Sequence, residues 1–270
     1  NEESVFFQSN RNGNWDIFEF NLMSNETRQI TTSEADEELP WVSPDGKFVY
    51  YTTNKDDRRP VSYVSKSRNI CKQNLQDGTV ENLTNTLAND WMSRTDWKSD
   101  NIVFVSERKD LREVAITEKK SYIYTMENSG DFQILLVDEE GVYGNPAYSH
   151  DNGYIFYDVN KNGNHEISRY SVEKQTNVTI VSTPGADNVG PFPSPNDSTI
   201  VYFSNRDGNY ELYQMNISSN EEERLTTNPG NDLNPIYSKT GTKVLFFSDR
   251  YGNYDIFMLD FTQAGTTMSM

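Results

Sequence analysis

Oxygen-bearing side chains alternate around a glycine in one short segment of the chain, at Asn205, Asp207, Asn209 and Glu211. Carboxylate and amide oxygens at alternate positions are typical of calcium-binding loops. However, the segment lacks the bidentate glutamate that closes such loops, and turn formation by Asn and Asp accounts for the same pattern. We therefore expect no cofactor, with structural Ca²⁺ as the alternative, and we expect Glu211 to pair with loop amides or with Arg206.

This segment is one copy of a repeated hairpin signature. Copies of the signature occupy residues 10–18, 160–167, 205–213 and 249–257. A second anchor ends in a serine at positions 43, 99, 149, 194 and 238, with spacings of 56, 50, 45 and 44 residues. A fixed period of this length indicates a repeat architecture. The anchors divide the chain into six units, at approximately 1–38, 39–93, 94–144, 145–189, 190–233 and 234–270.

Each unit contains short runs of β-branched and aromatic residues, bounded by turn residues. Runs of this composition are typical of strands, and Asn-Gly or Asp-Gly between two of them indicates a hairpin. The prediction is an all-β chain that forms a single domain, a six-bladed β-propeller of four-stranded antiparallel blades. Only five innermost and five outer strands can be found. We expect the tail, residues 262–270, to supply one missing strand and the first blade to remain short.

Two of these motifs carry a resemblance to a known family. The run Ser204 to Asn216, followed by Arg224-Leu225-Thr226, resembles the TolB-type WD40-like propeller repeat, and residues 40–47 resemble its other half. The resemblance implies a non-catalytic propeller that binds a partner protein or peptide. Similar repeats also occur in prolyl-oligopeptidase-like peptidases and oligogalacturonate lyases. The alternatives are thus the propeller domain of a larger hydrolase, and a propeller that binds or processes glycans.

Residues suited to catalysis are scarce. The chain has two histidines, one cysteine and no Gly-x-Ser-x-Gly elbow. We predict that His150 and His165 serve turn formation and packing. Cys71 aligns with Phe18, Tyr213 and Phe257, which predicts a small core residue. The sequence therefore favours a protein with no catalytic residues and no metal ligands.

Charge further limits the function. With 24 Lys and Arg against 41 Asp and Glu, the net charge of −17 argues against nucleic acid as a partner. No apolar run approaches the roughly 18 residues that a membrane span needs. Residues 55–120 are nevertheless near neutral, with 13 cationic and 11 acidic side chains. The remaining chain therefore carries a net charge of −19.

Two sets of charged residues are predicted to contact a partner. The segments that enter the innermost strands carry acids around the predicted mouth of the channel, at Asp36, Glu37, Asp90, Glu139, Asp187 and Asp232. The two long hairpins carry cations at Arg58, Arg59, Arg108, Lys109 and Arg112. The alternatives are that each acid caps its own turn and that the long hairpins are tolerated insertions. We expect a monomer that binds a protein or peptide in the periplasm or outside the cell, after removal of a signal peptide.

Overall fold

The computed structural model describes residues 4–60, 66–115, 118–262 and 266–269. In these ranges the chain forms β-strands joined by turns, and no helix is long and apolar enough to cross a membrane. The chain divides into two compact units, Asn1–Val142 and Tyr143–Met270.

The first unit contains three antiparallel sheets. The strands of its first sheet are β1 (Ser4–Ser9), β2 (Asp16–Asn21) and β3 (Thr27–Gln29). Those of its second sheet are β4 (Glu37–Val42), β5 (Phe48–Thr53), β6 (Asn69–Asn74) and β7 (Val80–Asn82). Those of its third sheet are β8 (Asp90–Thr95), β9 (Asn101–Ser106), β10 (Tyr122–Glu127) and β11 (Ile134–Leu135). In every sheet, strands that are neighbours in sequence are also neighbours in space.

The second unit also contains three antiparallel sheets. The strands of its first sheet are β12 (Val142–Tyr148), β13 (Tyr154–Asn160), β14 (His165–Ser171) and β15 (Thr176–Val181). Those of its second sheet are β16 (Asn188–Pro193), β17 (Thr199–Ser204), β18 (Glu211–Asn216) and β19 (Glu222–Arg224). Those of its third sheet are β20 (Asp232–Tyr237), β21 (Lys243–Ser248), β22 (Asp255–Asp260) and β23 (Thr266–Ser269).

These six sheets are the blades of a β-propeller, so the predicted fold class is confirmed. Within the described residues, five blades have four strands and the first has three. The expected role of the tail is also confirmed, because Thr266 of β23 pairs with Asp260 of β22. The hairpins form as the sequence predicts, and Gly208 adopts a φ of 115° that favours glycine.

Aromatic and β-branched side chains from consecutive blades form the core of each unit. In the first unit, Tyr50 of the second blade packs with Ile102 and Phe104 of the third. In the second unit, Phe156 of the fourth blade packs with Tyr202 of the fifth. All five side chains are almost fully buried, which is the main source of stability expected for a repeat of small sheets.

The connections of the first unit alternate between the two ends of its strands. Because the strands are antiparallel, the hairpin after the second strand of a blade lies at the same end as the segment that enters the next blade. We call this end of the first unit the long-hairpin face. It includes the connections at residues 30–36, 54–60 with 66–68, 83–89, and 107–115 with 118–121. The opposite strand ends carry short turns.

Candidate functional site

In each of three blades, an arginine connects strands of that blade through the same set of contacts. In the sixth blade, Arg250 Nε donates to Ser248 Oγ at 2.9 Å, and its guanidinium donates to both carboxylate oxygens of Asp232, at 3.0 and 3.1 Å. The guanidinium carbon lies 4.3 Å from the ring centroid of Phe257 and 5.5 Å from that of Phe246. The acceptor stands 18 positions before the arginine, at the start of the first strand. We call this arrangement the arginine clasp.

Two other blades repeat the arginine clasp with their own residues. Its members in the third blade are Arg108, Ser106, Asp90, Phe104 and Tyr124. Its members in the fifth blade are Arg206, Ser204, Asn188, Tyr202 and Tyr213. The first blade keeps the arginine between two rings, although no first strand supplies an acceptor there. The clasp therefore fixes strands within a blade, through charge-assisted hydrogen bonds and cation–π contacts.

A second repeated device closes both long hairpins. Asp57 accepts hydrogen bonds from the backbone N–H and guanidinium of Arg59, and from the backbone N–H of Ser67 at 2.7 Å. Asp110 accepts the same set from Arg112 and from the backbone N–H of Lys120, again ten residues further on. We call this arrangement the aspartate clamp.

Both clamp carboxylates are strongly stabilised in their charged form. Each is buried, and the guanidinium two residues further on holds the pKa of Asp57 and of Asp110 well below the usual range. A carboxylate that accepts several N–H groups and one guanidinium holds its loop firmly. The clamps therefore give both long hairpins a fixed shape near their bases.

The aspartate clamps present their middle residue to solvent. Arg58 is exposed in one hairpin, and in the other Leu111 has 87% of its surface exposed. Leu87, in the segment that enters the third blade, is 88% exposed. Both leucines line a pocket of about 550 Å³, which we call the first depression. Val114 and Ala115 add apolar surface to it.

The polar groups of the first depression come from the segment that enters the third blade and from the second long hairpin. Asn89 joins the two long hairpins, because its Oδ1 accepts from the backbone N–H of Arg68 and its Nδ2 donates to Glu107 at 2.9 Å. Burial raises the pKa of the Glu107 carboxyl to about 7. Lys119 donates to the backbone carbonyls of Asp110 and Arg112. The depression thus combines apolar side chains with one carboxyl that can exchange a proton near neutral pH.

A pocket of about 630 Å³ lies on the same face, and we call it the second depression. Its charged lining residues are the acids Glu34, Asp36 and Asp57 and the cations Lys55, Arg58 and Lys66. Ser33 also lines it and donates a hydrogen bond from its hydroxyl to the buried carboxylate of Glu37. The long-hairpin face therefore carries two depressions, and Arg59 and Ser67 of the clamped hairpin line the first of them.

Comparison with known proteins assigns the family. The family model described as the TolB beta propeller domain matches residues 99–269. The chain belongs to the TolB propeller family. A search of curated proteins gave no significant match.

Solved structures support the propeller fold of this TolB-family chain. A protein described as TolB from Agrobacterium tumefaciens has a TM-score of 0.74 and 17% identity, over 93% of this chain and 86% of that one. An oligogalacturonate lyase from Vibrio parahaemolyticus has a TM-score of 0.65 and 13% identity, over 99% and 74%. A chain from a nidogen–laminin complex has a TM-score of 0.72 and 10% identity, over 98% and 91%. These similarities show the fold alone.

The structure divides the acids predicted to surround the channel. Asp90 and Asp232 are fully buried in arginine clasps, and Glu37 is 2% exposed. Asp36 is partly exposed and accepts from the backbone N–H of Trp15 and from Asn54 Nδ2. Asp187 is partly exposed and accepts from the backbone N–H of His165 and from Tyr210 Oη, and Glu139 is exposed. The predicted solvent-facing acids thus reduce to Asp36, Asp187 and Glu139.

Most of the predicted cations already have an acidic partner within the chain. Arg59 and Arg112 belong to aspartate clamps, and Arg108 belongs to an arginine clasp. Lys109 pairs with Asp138 and lies over the ring of Tyr122. Arg58 makes no ion pair with the residues that the structure describes. Of the five predicted cations, Arg58 is therefore the one without an ion pair among the described residues.

The hairpin residues of this TolB-family propeller are engaged in hydrogen bonds. Glu211 accepts from Thr226 Oγ1 and pairs with Arg224. Asn209 Nδ2 donates to three backbone carbonyls and to Glu211. The predicted alternative partner Arg206 instead contacts Asn188 and Glu222. Across residues 4–60, 66–115, 118–262 and 266–269, no three His, Cys, Asp or Glu side chains are grouped to hold a metal.

The two histidines have contrasting environments. His150 is exposed and lies in a turn, as predicted. Its backbone N–H donates to Asp197, which is 47 residues further along the chain. His165 Nδ1 lies 2.9 Å from Oδ2 of the buried Asp158, and this contact raises the pKa of the imidazole. Asn145 Nδ2 and the backbone N–H of Gly190 bind the other Asp158 oxygen. His165 thus belongs to a polar network between two blades.

Sequence reasoning missed four residues of the site, namely Asp57, Asp110, Leu87 and Leu111. A signal for the clamps is present in the sequence, since Asp-x-Arg occurs in both long hairpins and ten residues separate each Asp from its second donor. The exposure of the leucines carries no such signal. Leu111 is the residue between the two clamp members Asp110 and Arg112, and only the folded hairpin shows that it is exposed.

Proposed function

We propose that this chain is a non-catalytic propeller that binds a partner protein or peptide on the long-hairpin face of its first unit. The observation that carries the proposal is the pair of exposed leucines, Leu87 and Leu111, at the first depression. Exposed apolar side chains beside a pocket are a common feature of protein interaction sites. The aspartate clamps add rigidity, which lowers the entropy lost on binding.

The near-neutral charge of the long hairpins supports a mainly apolar contact with the partner. The acids and cations of the long hairpins neutralise one another, in contrast to the net −19 of the rest of the chain. A neutral surface on an otherwise acidic protein is a place where a partner of either charge can approach. Among the five cations predicted to contact a partner, Arg58 is the one still available to attract an acid on the partner. We expect charge reversal at Arg58 to change mainly the association rate and its salt dependence.

Membership of the TolB propeller family supports a location in the periplasm or outside the cell. We propose in addition that the chain is a monomer. A contribution from Asp36 fits the same site, because this acid lines the second depression on the same face. Glu139 lies on the connection that enters the fourth blade and is the second proposed partner-binding acid of the first unit. Asp187, on the connection that enters the fifth blade, is a proposed partner-binding acid of the second unit.

The test uses a photo-crosslinking residue on the long-hairpin face. Ala115 is exposed and lines the first depression, so an Ala115→p-benzoylphenylalanine variant places the reactive group beside both leucines. Met23 is 79% exposed in the turn between β2 and β3, at the opposite strand ends, and supplies the matched control. Both variants are irradiated in the extracytoplasmic fraction of the source organism.

We expect a discrete adduct of defined mass from the Ala115 variant and none from the Met23 variant. Loss of that adduct when Leu87 and Leu111 are both changed to serine would tie it to the leucines. Equal adducts from both crosslinker positions, or adducts from the Met23 position alone, would overturn the proposal.

A further inference from the structure

The second blade lacks the arginine clasp although it keeps the acid that a clasp requires. Glu37 stands 18 positions before Lys55, the spacing that separates acceptor and arginine in the clasps. The cross-strand ring pair is also changed, because Tyr51 pairs with Cys71 where the sixth blade pairs Phe246 with Phe257. Lys55 therefore stands in place of the arginine and Cys71 in place of one ring.

The consequence is a buried carboxylate without a cation. Glu37 is 2% exposed, and its Oε1 accepts from Ser33 and Thr53. Its Oε2 is buried and has no hydrogen-bond partner. Lys55 is exposed, and no ion pair joins it to Glu37. An unpaired buried carboxylate oxygen costs free energy, and such a group calls for a partner.

A second acid increases the need for positive charge. Asp16 is 2% exposed, and its carboxylate accepts from Thr31 Oγ1. Burial raises the pKa of both Asp16 and Glu37, and the charge of Asp16 raises that of Glu37 further. In the fifth blade, Glu211 occupies the position of Asp16 and is paired with Arg224. Asp16 and Glu37, where the first and second blades meet, instead have no cation among the described residues.

Ser33 connects the second depression to this carboxylate. Its side chain lines the depression and donates to Oε1 of Glu37. The charged lining residues balance, with three acids and three cations. Glu37 therefore lies one hydrogen bond from the lining of the second depression, without a cation of its own among the described residues.

We propose that an arginine side chain of the partner enters the second depression and pairs its guanidinium with Glu37, completing in trans the clasp that the second blade lacks. This inference rests on the proposed function and names the chemistry of its partner. The chain itself supplies the template, since Arg108 and Arg250 bind equivalent buried acids. Tyr51 occupies the strand position that Phe246 has in the clasp of the sixth blade, and its ring is the aromatic face proposed for the guanidinium.

Guanidinium fits this position better than ammonium. A planar fork of N–H donors can satisfy both carboxylate oxygens and stack on a ring, whereas an ammonium is a strongly hydrated point charge. The exposed Lys55, which lines the second depression yet makes no ion pair with Glu37, agrees with this difference. The proposed entry requires a rotamer change of Ser33, a half-buried loop residue.

The test uses a small probe on the isolated chain, so that no partner is needed. Ethylguanidinium at low millimolar concentration is compared with ethylammonium, and the melting temperature is recorded. We expect ethylguanidinium to raise the Tm by about 2 °C, since ligand binding to the native state alone stabilises it. Glu37→Gln should abolish the response, and Glu34→Gln, which removes an acid from the lining, should retain it. Lys55→Arg should lose the response, because its own guanidinium occupies Glu37.

Three results would overturn the inference. They are no response of the wild-type chain, an equal response to ethylammonium, which would indicate a lysine, and a response of Glu37→Gln equal to that of the wild type. This test can fail independently of the test of the proposed function. A crosslink at Ala115 without a probe response would reject the arginine proposal alone. A probe response without any crosslink would reject the proposed binding face alone.

Discussion

The guanidinium of Arg250 binds both carboxylate oxygens of Asp232, a residue with no exposed surface, across 18 positions of sequence. This pair joins the start of the first strand of the sixth blade to the hairpin after its second strand. Removal of one member would leave a buried charge without a partner, which is far more costly than the loss of an exposed ion pair.

The first prediction concerns this pair. Arg250→Met should lower the free energy of unfolding by about 3 to 5 kcal/mol, because Asp232 then remains buried and unpaired. Arg28→Met provides the control, since Arg28 pairs with Glu19 at the surface and should cost less than about 1 kcal/mol. Urea denaturation measures both. An Arg250→Met variant as stable as Arg28→Met would show that the clasp does not stabilise the blade.

The second prediction concerns the aspartate clamp. Asp110→Asn weakens the bonds to Arg112 and to the backbone N–H of Lys120, so the hairpin should open more often. We expect hydrogen exchange of the Lys120 amide to become at least about tenfold faster. Asp131→Asn, at an exposed turn, is the control and should leave that amide unchanged. Unchanged exchange in both variants would mean that other contacts hold the hairpin.

The third prediction concerns the pH dependence of stability. Burial raises the pKa of Glu107 from 4.5 to about 7, so the native state keeps a proton that the unfolded state releases. Stability from this group is therefore present below about pH 4.5 and is lost as the pH rises to about 7. Allowing for solvent near the carboxyl, we expect a loss of about 1 kcal/mol.

Glu107→Gln should remove this part of the pH dependence. The comparison is the difference in unfolding free energy between about pH 5 and about pH 8, for the wild type and for the variant. Glu113→Gln, an exposed neighbour in the same hairpin, should behave like the wild type. If Glu107→Gln shows the same change in unfolding free energy between the two pH values as the wild type, groups other than Glu107 cause the pH dependence.

Much of the fold could be predicted because its signals are local. Asn-Gly and Asp-Gly turns, strand composition and the serine anchors all recur within one blade, so they indicate six sheets without knowledge of long-range contacts. Even the tail strand, Thr266–Ser269, follows from counting strands.

The site was harder to predict because it depends on pairs that are distant in sequence. Asp90 and Asp232 look like loop acids in the sequence, and only strand pairing brings each to an arginine 18 residues later. Arg59 and Arg112 look like free cations, although each binds an aspartate two residues before it. Local charge therefore overstated how many side chains are available to a partner.

The most direct measurement of the central claim is the Kd of the crosslinked partner for three forms of the chain. Leu87→Ser with Leu111→Ser should weaken binding by about tenfold to a hundredfold, because each exposed leucine is expected to contribute about 1 kcal/mol or more. Met23→Ser, which removes an equally exposed side chain at the opposite strand ends, should leave the Kd unchanged. A double variant that binds as tightly as the wild type would contradict partner binding on the long-hairpin face.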